Sequence, residues 1–232
     1  MKSFLGARNQ AKLALRHLTR ILKVHGGKSL ANVAQVVCYV TNESFSSIVM
    51  ETWIEKVENE YNLTDSNRYV QTRDKSITLC DHLKRILKII AVPNLPKNAL
   101  VEWHVLAIET PIITATIDQN KTEENLVLSI DEGGRVFFVG STKHLGWEEK
   151  WANEQDTVKQ FFNENFVDLP MPTRGHMNVY GKKFFINTDK SNNLGKLSLP
   201  CGENHIQILP TLVPVISFGN DNTSYVVTGM LY

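Results

Sequence analysis

The sequence predicts an α+β fold of two related modules, residues 1–112 and 113–232, the first lacking its opening strands and the second degenerate. Three observations predict it. A stretch recurs in altered form at the end of each half. His82 to Glu109 reads HLKRILKIIAVPNLPKNALVEWHVLAIE, and His205 to Tyr232, 123 positions later, reads HIQILPTLVPVISFGNDNTSYVVTGMLY. Each copy is an apolar run, a short polar turn (Pro93–Asn98, Phe218–Thr223) and a second β-rich run, the pattern of paired strands. Self-similarity at that distance means two related domains rather than one large one. The second observation is that the elements of the two halves complement one another, each holding pieces that the other lacks. The third is that the helices carry apolar stripes, which need a sheet face to bury them.

Gln10 to His25 is an amphipathic helix. Ala11, Ala14, Leu15, Leu18, Ile21 and Leu22 form one stripe, with Lys12, Arg16, Arg20 and Lys23 on the opposite side. Gly26-Gly27 stops it. Ala31 to Thr41 has strand character, with Val33, Val36, Val37, Tyr39 and Val40. Ser44 is a candidate N-cap for a second helix, Phe45 to Tyr61, whose face is Phe45, Ile48, Val49, Thr52, Trp53 and Val57. Asn62 to Ser76 is polar and reads as a loop, and the first strand pair follows. The second half opens with strands Asn125–Ile130 and Gly133–Ser141 around the turn Asp131-Glu132-Gly133-Gly134. Trp147 to Phe166 reads as a helix, Met177 to Thr188 as β-rich, Thr188 to Gly202 as a polar stretch, and the second strand pair closes the chain. A complete unit would run strand, strand, helix, strand, helix, strand, strand.

Composition narrows the class. An apolar fraction of 42% and a charged fraction of 21% fit a soluble globular protein, and no stretch reaches the length of a membrane span. MKSFLGARNQ has neither the apolar core nor the cleavage pattern of a secretory signal. The sequons Asn42-Glu43-Ser44 and Asn62-Leu63-Thr64 are idle without secretion. Cys38, Cys80 and Cys201 are odd in number and widely spaced, as free thiols in a reducing compartment are. A net charge of +1 argues for neither a nucleic-acid nor a membrane partner. The expectation is a cytoplasmic protein.

Residues 10 to 108 resemble the RidA family of enamine/imine deaminases and their non-catalytic relatives. The resemblance rests on LTRILKVHGGKSLANVAQVVCYVTN, on the aromatic-led helix FSSIVMETWIEKV, and above all on the ending LPKNALVEWHVLAI, whose LPK-x-x-LVE pattern is that family's last hairpin. It implies a chorismate-mutase-like α+β module. The family's opening strands would precede Gln10, where nine residues stand. The expectation is therefore that the chain starts inside a domain or that another segment supplies those strands. Two such modules in tandem, the second degenerate, resemble the C-terminal region of long eukaryotic diphthine–ammonia ligases. That resemblance implies a regulatory or assembly region of an ATP-dependent ligase that amidates diphthine on elongation factor two. It implies ATP only for an upstream domain, no cofactor in this segment, and self-association or an upstream ligase domain as partner. The alternative is a stand-alone imine deaminase or small-molecule sensor of the same family.

The resemblance also names candidate catalytic residues. Family members that hydrolyse imines grip the substrate carboxylate with a bidentate arginine on the strand before the LP turn. Counting back from Leu95-Pro96, that position falls on Leu87. Arg85 lies two residues away, on the same face if this is a strand, and a two-residue bulge would bring it into place. Its other reading is a surface or trimer-interface arginine. Glu102 matches the family's glutamate, which holds a catalytic water; its other reading is a hydrogen-bonding structural residue. The corresponding stretch of the second copy, Thr223 to Val227, has no acid, so that module is expected to be inert. Gly26-Gly27-Lys28-Ser29 lacks the glycine a Walker loop needs at position 22, where Leu22 stands, and reads as a helix C-cap. Cys80-x-His82 and Cys201-x3-His205 fall short of the four ligands of a structural zinc site, and read as buried cysteines near strand histidines. No metal site is expected, and no nucleophile elbow occurs.

Overall fold

The computed structural model describes residues 2–26, 28–61, 69–71, 76–109, 113–118, 125–131, 135–142, 174–181, 197–201, 204–218 and 225–232. The fold is α+β, and the chain divides into two compact units, Met1–Ile113 with Val215–Asp221, and Thr114–Pro214 with Asn222–Tyr232. In chain order the first unit holds α1 (Lys2–Val24), β1 (Val33–Val40), α2 (Ser46–Tyr61), β2 (Tyr69–Gln71), β3 (Ser76–Thr78), α3 (Leu79–Arg85), β4 (Leu87–Ala91) and β5 (Val101–Ala107). The remaining strands are β6 (Ile113–Asp118), β7 (Asn125–Ile130), β8 (Val136–Thr142), β9 (Arg174–Gly181), β10 (Leu197–Cys201), β11 (Asn204–Pro214), β12 (Ser217–Phe218) and β13 (Tyr225–Leu231). The helix expected over Trp147–Phe166 lies outside the described residues.

Apolar periodicity builds the first unit. α1 buries Ala7, Ala11, Leu15 and Leu22, and it starts eight residues earlier than the sequence pattern suggests. It stops at Gly26, whose φ of 83° turns the chain so that the Lys28 N–H donates to the Leu22 carbonyl at 3.0 Å. α2 buries Val49, Thr52, Trp53 and Val57, as its spacing requires. Its entry is capped by Asn42 rather than Ser44. The Asn42 Oδ1 accepts from the Ser44 N–H at 2.9 Å, and a 3-10 turn, Glu43–Phe45, leads into the helix. β2 lies where a loop was expected, and β10 lies within the polar stretch Thr188–Gly202.

The strand pairs at the ends of the two halves need a correction. The first sheet has the order β12-β4-β1-β5, with β1 parallel to β4 and antiparallel to β5. β4 and β5 therefore share a sheet without pairing. The nine residues between them are longer than a hairpin loop and cross over β1. Within that crossover the Ala99 N–H donates to the Pro96 carbonyl at 3.1 Å, around Lys97 and Asn98 at φ 57° and 55°. Two consecutive left-handed residues are the signature of a type I′ turn.

The second unit forms a seven-stranded sheet, β10-β11-β9-β13-β8-β7-β6. Here β9 is parallel to β11 and antiparallel to β13. β7 and β8 form the expected hairpin. Its turn is tied by Asp131, buried, which accepts from the Arg135 N–H at 2.9 Å and from its Nε at 2.6 Å. The triplets β4-β1-β5 and β11-β9-β13 correspond row by row. Tyr39 stands between Ile90 and Glu102, and Tyr180 stands between Val213 and Val226. Every row from Val36–Leu87 to Val40–Ala91 maps onto its counterpart with β4 and β11 offset by 123 positions, the offset seen in the sequence.

Candidate functional site

The faces of the first sheet are fixed by an aromatic contact. Trp103 of β5 stacks on Trp53 of α2, ring centroids 5.6 Å apart, so Trp103 lies on the helix-covered side. Alternation then puts Glu102 and His104 on the opposite side. Their row partners share it: Tyr39 and Ile90 with Glu102, Val37 and Lys88 with His104. β12 extends the first of these rows with Phe218 opposite Ile90. Val37, Ile90 and Phe218 are buried, while Glu102 and His104 are exposed. The face opposite Trp53 thus sets buried Val37, Ile90 and Phe218 beside a carboxylate, an imidazole, a phenol and an amine.

That amine, Lys88, is only 8% exposed, and burial lowers its pKa from 10.5 to about 8. On the other side of the sheet lies Cys38, fully buried. Burial raises its thiol well above the ordinary range, with the Glu102 charge adding to the effect, so it is a thiol rather than a thiolate and no nucleophile.

The structure corrects the reading of Arg85. It is the last residue of a helix, α3, not a strand residue, so no bulge aligns it with Leu87. Leu79, His82, Leu83 and Ile86 are buried at helical spacing and hold that segment in helical register. Leu87, the position at which the resemblance places the arginine, is buried on the helix-covered side in the row of Val36 and Val105. Glu102 faces the other side, two strands across and three rows along. At about 4.8 Å per strand and about 3.3 Å per residue the two backbone positions are about 14 Å apart. The fold does not bring Leu87 and Glu102 together. In the second unit Val226, buried, takes Glu102's row.

The remaining sequence candidates resolve similarly. His82 is a helix residue, fully buried, and among the described residues neither ring nitrogen has a hydrogen-bond partner. Burial, then the Arg85 charge, lowers its pKa to about 4, so the ring is neutral at physiological pH. Cys80 is half-exposed rather than buried. Among the described residues no group of three or more His, Cys, Asp or Glu is placed to hold a metal ion. Ser29 caps a 3-10 turn with Asn32, donating its N–H to Asn32 Oδ1 at 2.9 Å, which absorbs the Gly26–Ser29 motif. The basic stripe of α1 leans on α2. Arg8 pairs with Glu51, Lys12 pairs with Glu55 at 2.9 Å, and a shallow groove of about 210 Å³ runs between Arg16, Thr19, Thr52, Lys56 and Asn59.

Tyr39, Lys88 and His104 were missed by sequence reasoning. A signal for Lys88 exists: it is the one charged residue within the strand Leu-Lys-Ile-Ile-Ala. Among the described residues no helix is long and apolar enough to cross a membrane. No family model matches the sequence, and no curated protein matches it. Among solved structures the chain is similar to a proposed translation initiation inhibitor from Salmonella typhimurium, at 12% identity and a TM-score of 0.28, over 51% of this chain and 96% of that one.

Proposed function

We propose that the chain is a tandem of two RidA-like modules that serves, without catalysis of its own, as the regulatory or assembly region of a diphthine–ammonia ligase-type protein. ATP-dependent amidation of diphthine belongs, on this reading, to an upstream domain, and this region holds that domain or its own copies in place. The tandem reading is supported by the shared strand register of β4-β1-β5 and β11-β9-β13. The observation that carries the loss of chemistry is Leu87, a buried aliphatic side chain where the resemblance calls for a carboxylate-gripping arginine. Ammonia ligation by the ligase-type protein with and without residues 1–232 tests the supporting role. Loss of oligomeric state or a slowed turnover is expected on removal; unchanged kinetics and assembly would refute it.

A second reading, a small-molecule sensor or imine deaminase, has one observation in its favour. Glu102 is exposed beside Tyr39 on the face opposite Trp53, where a ligand can reach it. Thermal unfolding with and without a ketoacid distinguishes it: a sensor melts higher with ligand, a scaffold does not.

A further inference from the structure

We propose that the groove between α1 and α2 binds a small hydroxycarboxylate, with its carboxylate on Arg16. The register of the two helices carries this site, independently of the ligase reading and of Glu102. α1 and α2 meet in a ladder of ion pairs at a constant offset of 43 positions, Arg8 with Glu51 and Lys12 with Glu55. Four residues further along both helices, about 6 Å, the third rung sets Arg16 against Asn59, a cation against a neutral amide. Where a third acid would stand there is open space, the groove of about 210 Å³ that both residues line. The neighbouring acids are already engaged. Both Glu55 oxygens face the Lys12 amine, at 3.1 and 2.9 Å, and Glu60 pairs with Lys56 at 2.9 Å. Among the described residues Arg16 has neither a hydrogen bond nor an ion pair.

The lining states the chemistry of the occupant. The Arg16 guanidinium offers a planar fork of N–H donors that a carboxylate meets with both oxygens. Leu15, 2% exposed, gives an apolar wall for a carbon chain. Thr19 donates its O–H to the Leu15 and Arg16 carbonyls, at 3.1 and 3.0 Å, and Thr52 donates to the Ile48 carbonyl at 2.7 Å. Both hydroxyl oxygens are therefore left to accept. The group that donates to them is a hydroxyl rather than an ammonium, which Lys12 and Lys56 would repel. Sites for drug-sized ligands enclose about 300–1,000 Å³, so this one takes a smaller molecule.

The test titrates the intact chain with sodium L-lactate at constant ionic strength and follows the backbone amide resonances of Arg16, Thr19 and Asn59. These move together along one saturable curve that sodium chloride does not reproduce. Lactamide, which is uncharged, does not bind, and propionate, which lacks the hydroxyl, binds about threefold more weakly. Arg16→Gln weakens lactate binding at least about tenfold. Asn59→Asp, which sets a carboxylate in the third rung, does the same while the melting temperature holds or rises, so that loss of binding is separated from loss of fold. No saturable response, a response that chloride matches (an adventitious ion only), lactamide binding as tightly as lactate, or unchanged binding in Asn59→Asp would each overturn the proposal.

Discussion

Trp53 and Trp103 stack with planes inclined by 29°, yet among the described residues only one of their indole N–H groups has a partner. Trp53 Nε1 donates to the Leu83 carbonyl at 2.9 Å, tying α2 to α3, whereas the buried Trp103 Nε1 has no partner among the described residues. Replacement by phenylalanine separates the two roles. Trp53→Phe leaves the Leu83 carbonyl unpaired in the core and costs about 1–3 kcal/mol beyond the lost ring area. Trp103→Phe removes an unpartnered donor and costs less. Urea unfolding of the two variants gives the comparison; equal losses would refute the assignment.

The buried His82 makes stability depend on pH. Its folded pKa is about 4 against 6.5 ordinarily, so between these values the unfolded chain binds more protons than the folded one. Stability is complete above pH 6.5 and falls as pH drops towards 4, by about 3 kcal/mol from this residue, then levels off. His82→Leu is expected to remove that part of the slope in urea titrations run across the window. A slope unchanged in the variant would contradict it.

Lys88 acts in a higher window with the same sign. Its pKa is lowered to about 8, so the unfolded chain binds the extra proton between pH 8 and 10.5, and stability rises with pH there. Below pH 8 the cost of the buried ammonium is fully present. Lys88→Met is therefore expected to flatten that alkaline rise. Denaturant unfolding across pH 7 to pH 10 checks it, and a rise unchanged in the variant would contradict it.

Gly229 occupies the row that Val105 takes in the first unit, but its surroundings forbid a side chain. A Cβ there would meet the Phe138 ring and lie 2.5 Å from the His176 carbonyl oxygen. Gly229→Ala is expected to destabilise the second unit by about 1–3 kcal/mol through overpacking between β8 and β9. Exchange of β13 amides reports it, and an unaffected variant would contradict this packing.

Much of the fold was legible where periodicity is unambiguous. The stripes of α1 and α2 and the alternation of β7 and β8 needed only the sequence. α3 was misread because Leu83 to Ile90 is an apolar run broken only by cations, which suits a strand, although Leu79, His82, Leu83 and Ile86 already held a helical spacing. The pairing of β4 with β5 failed for a different reason. Adjacency in sequence suggested a hairpin, and only the length of the connection hinted that β1 lies between them. Glu102 was legible as a residue, but not the face it shares with Lys88, since that depends on long-range register. Arg85 followed α3's misassignment.

The most direct test of the central claim is hydrolysis of a freshly generated 2-iminoacid, followed as ketoacid release by the purified chain. Lost chemistry gives the rate of buffer alone, unchanged by Glu102→Gln. Release faster than buffer that Glu102→Gln abolishes would contradict the account.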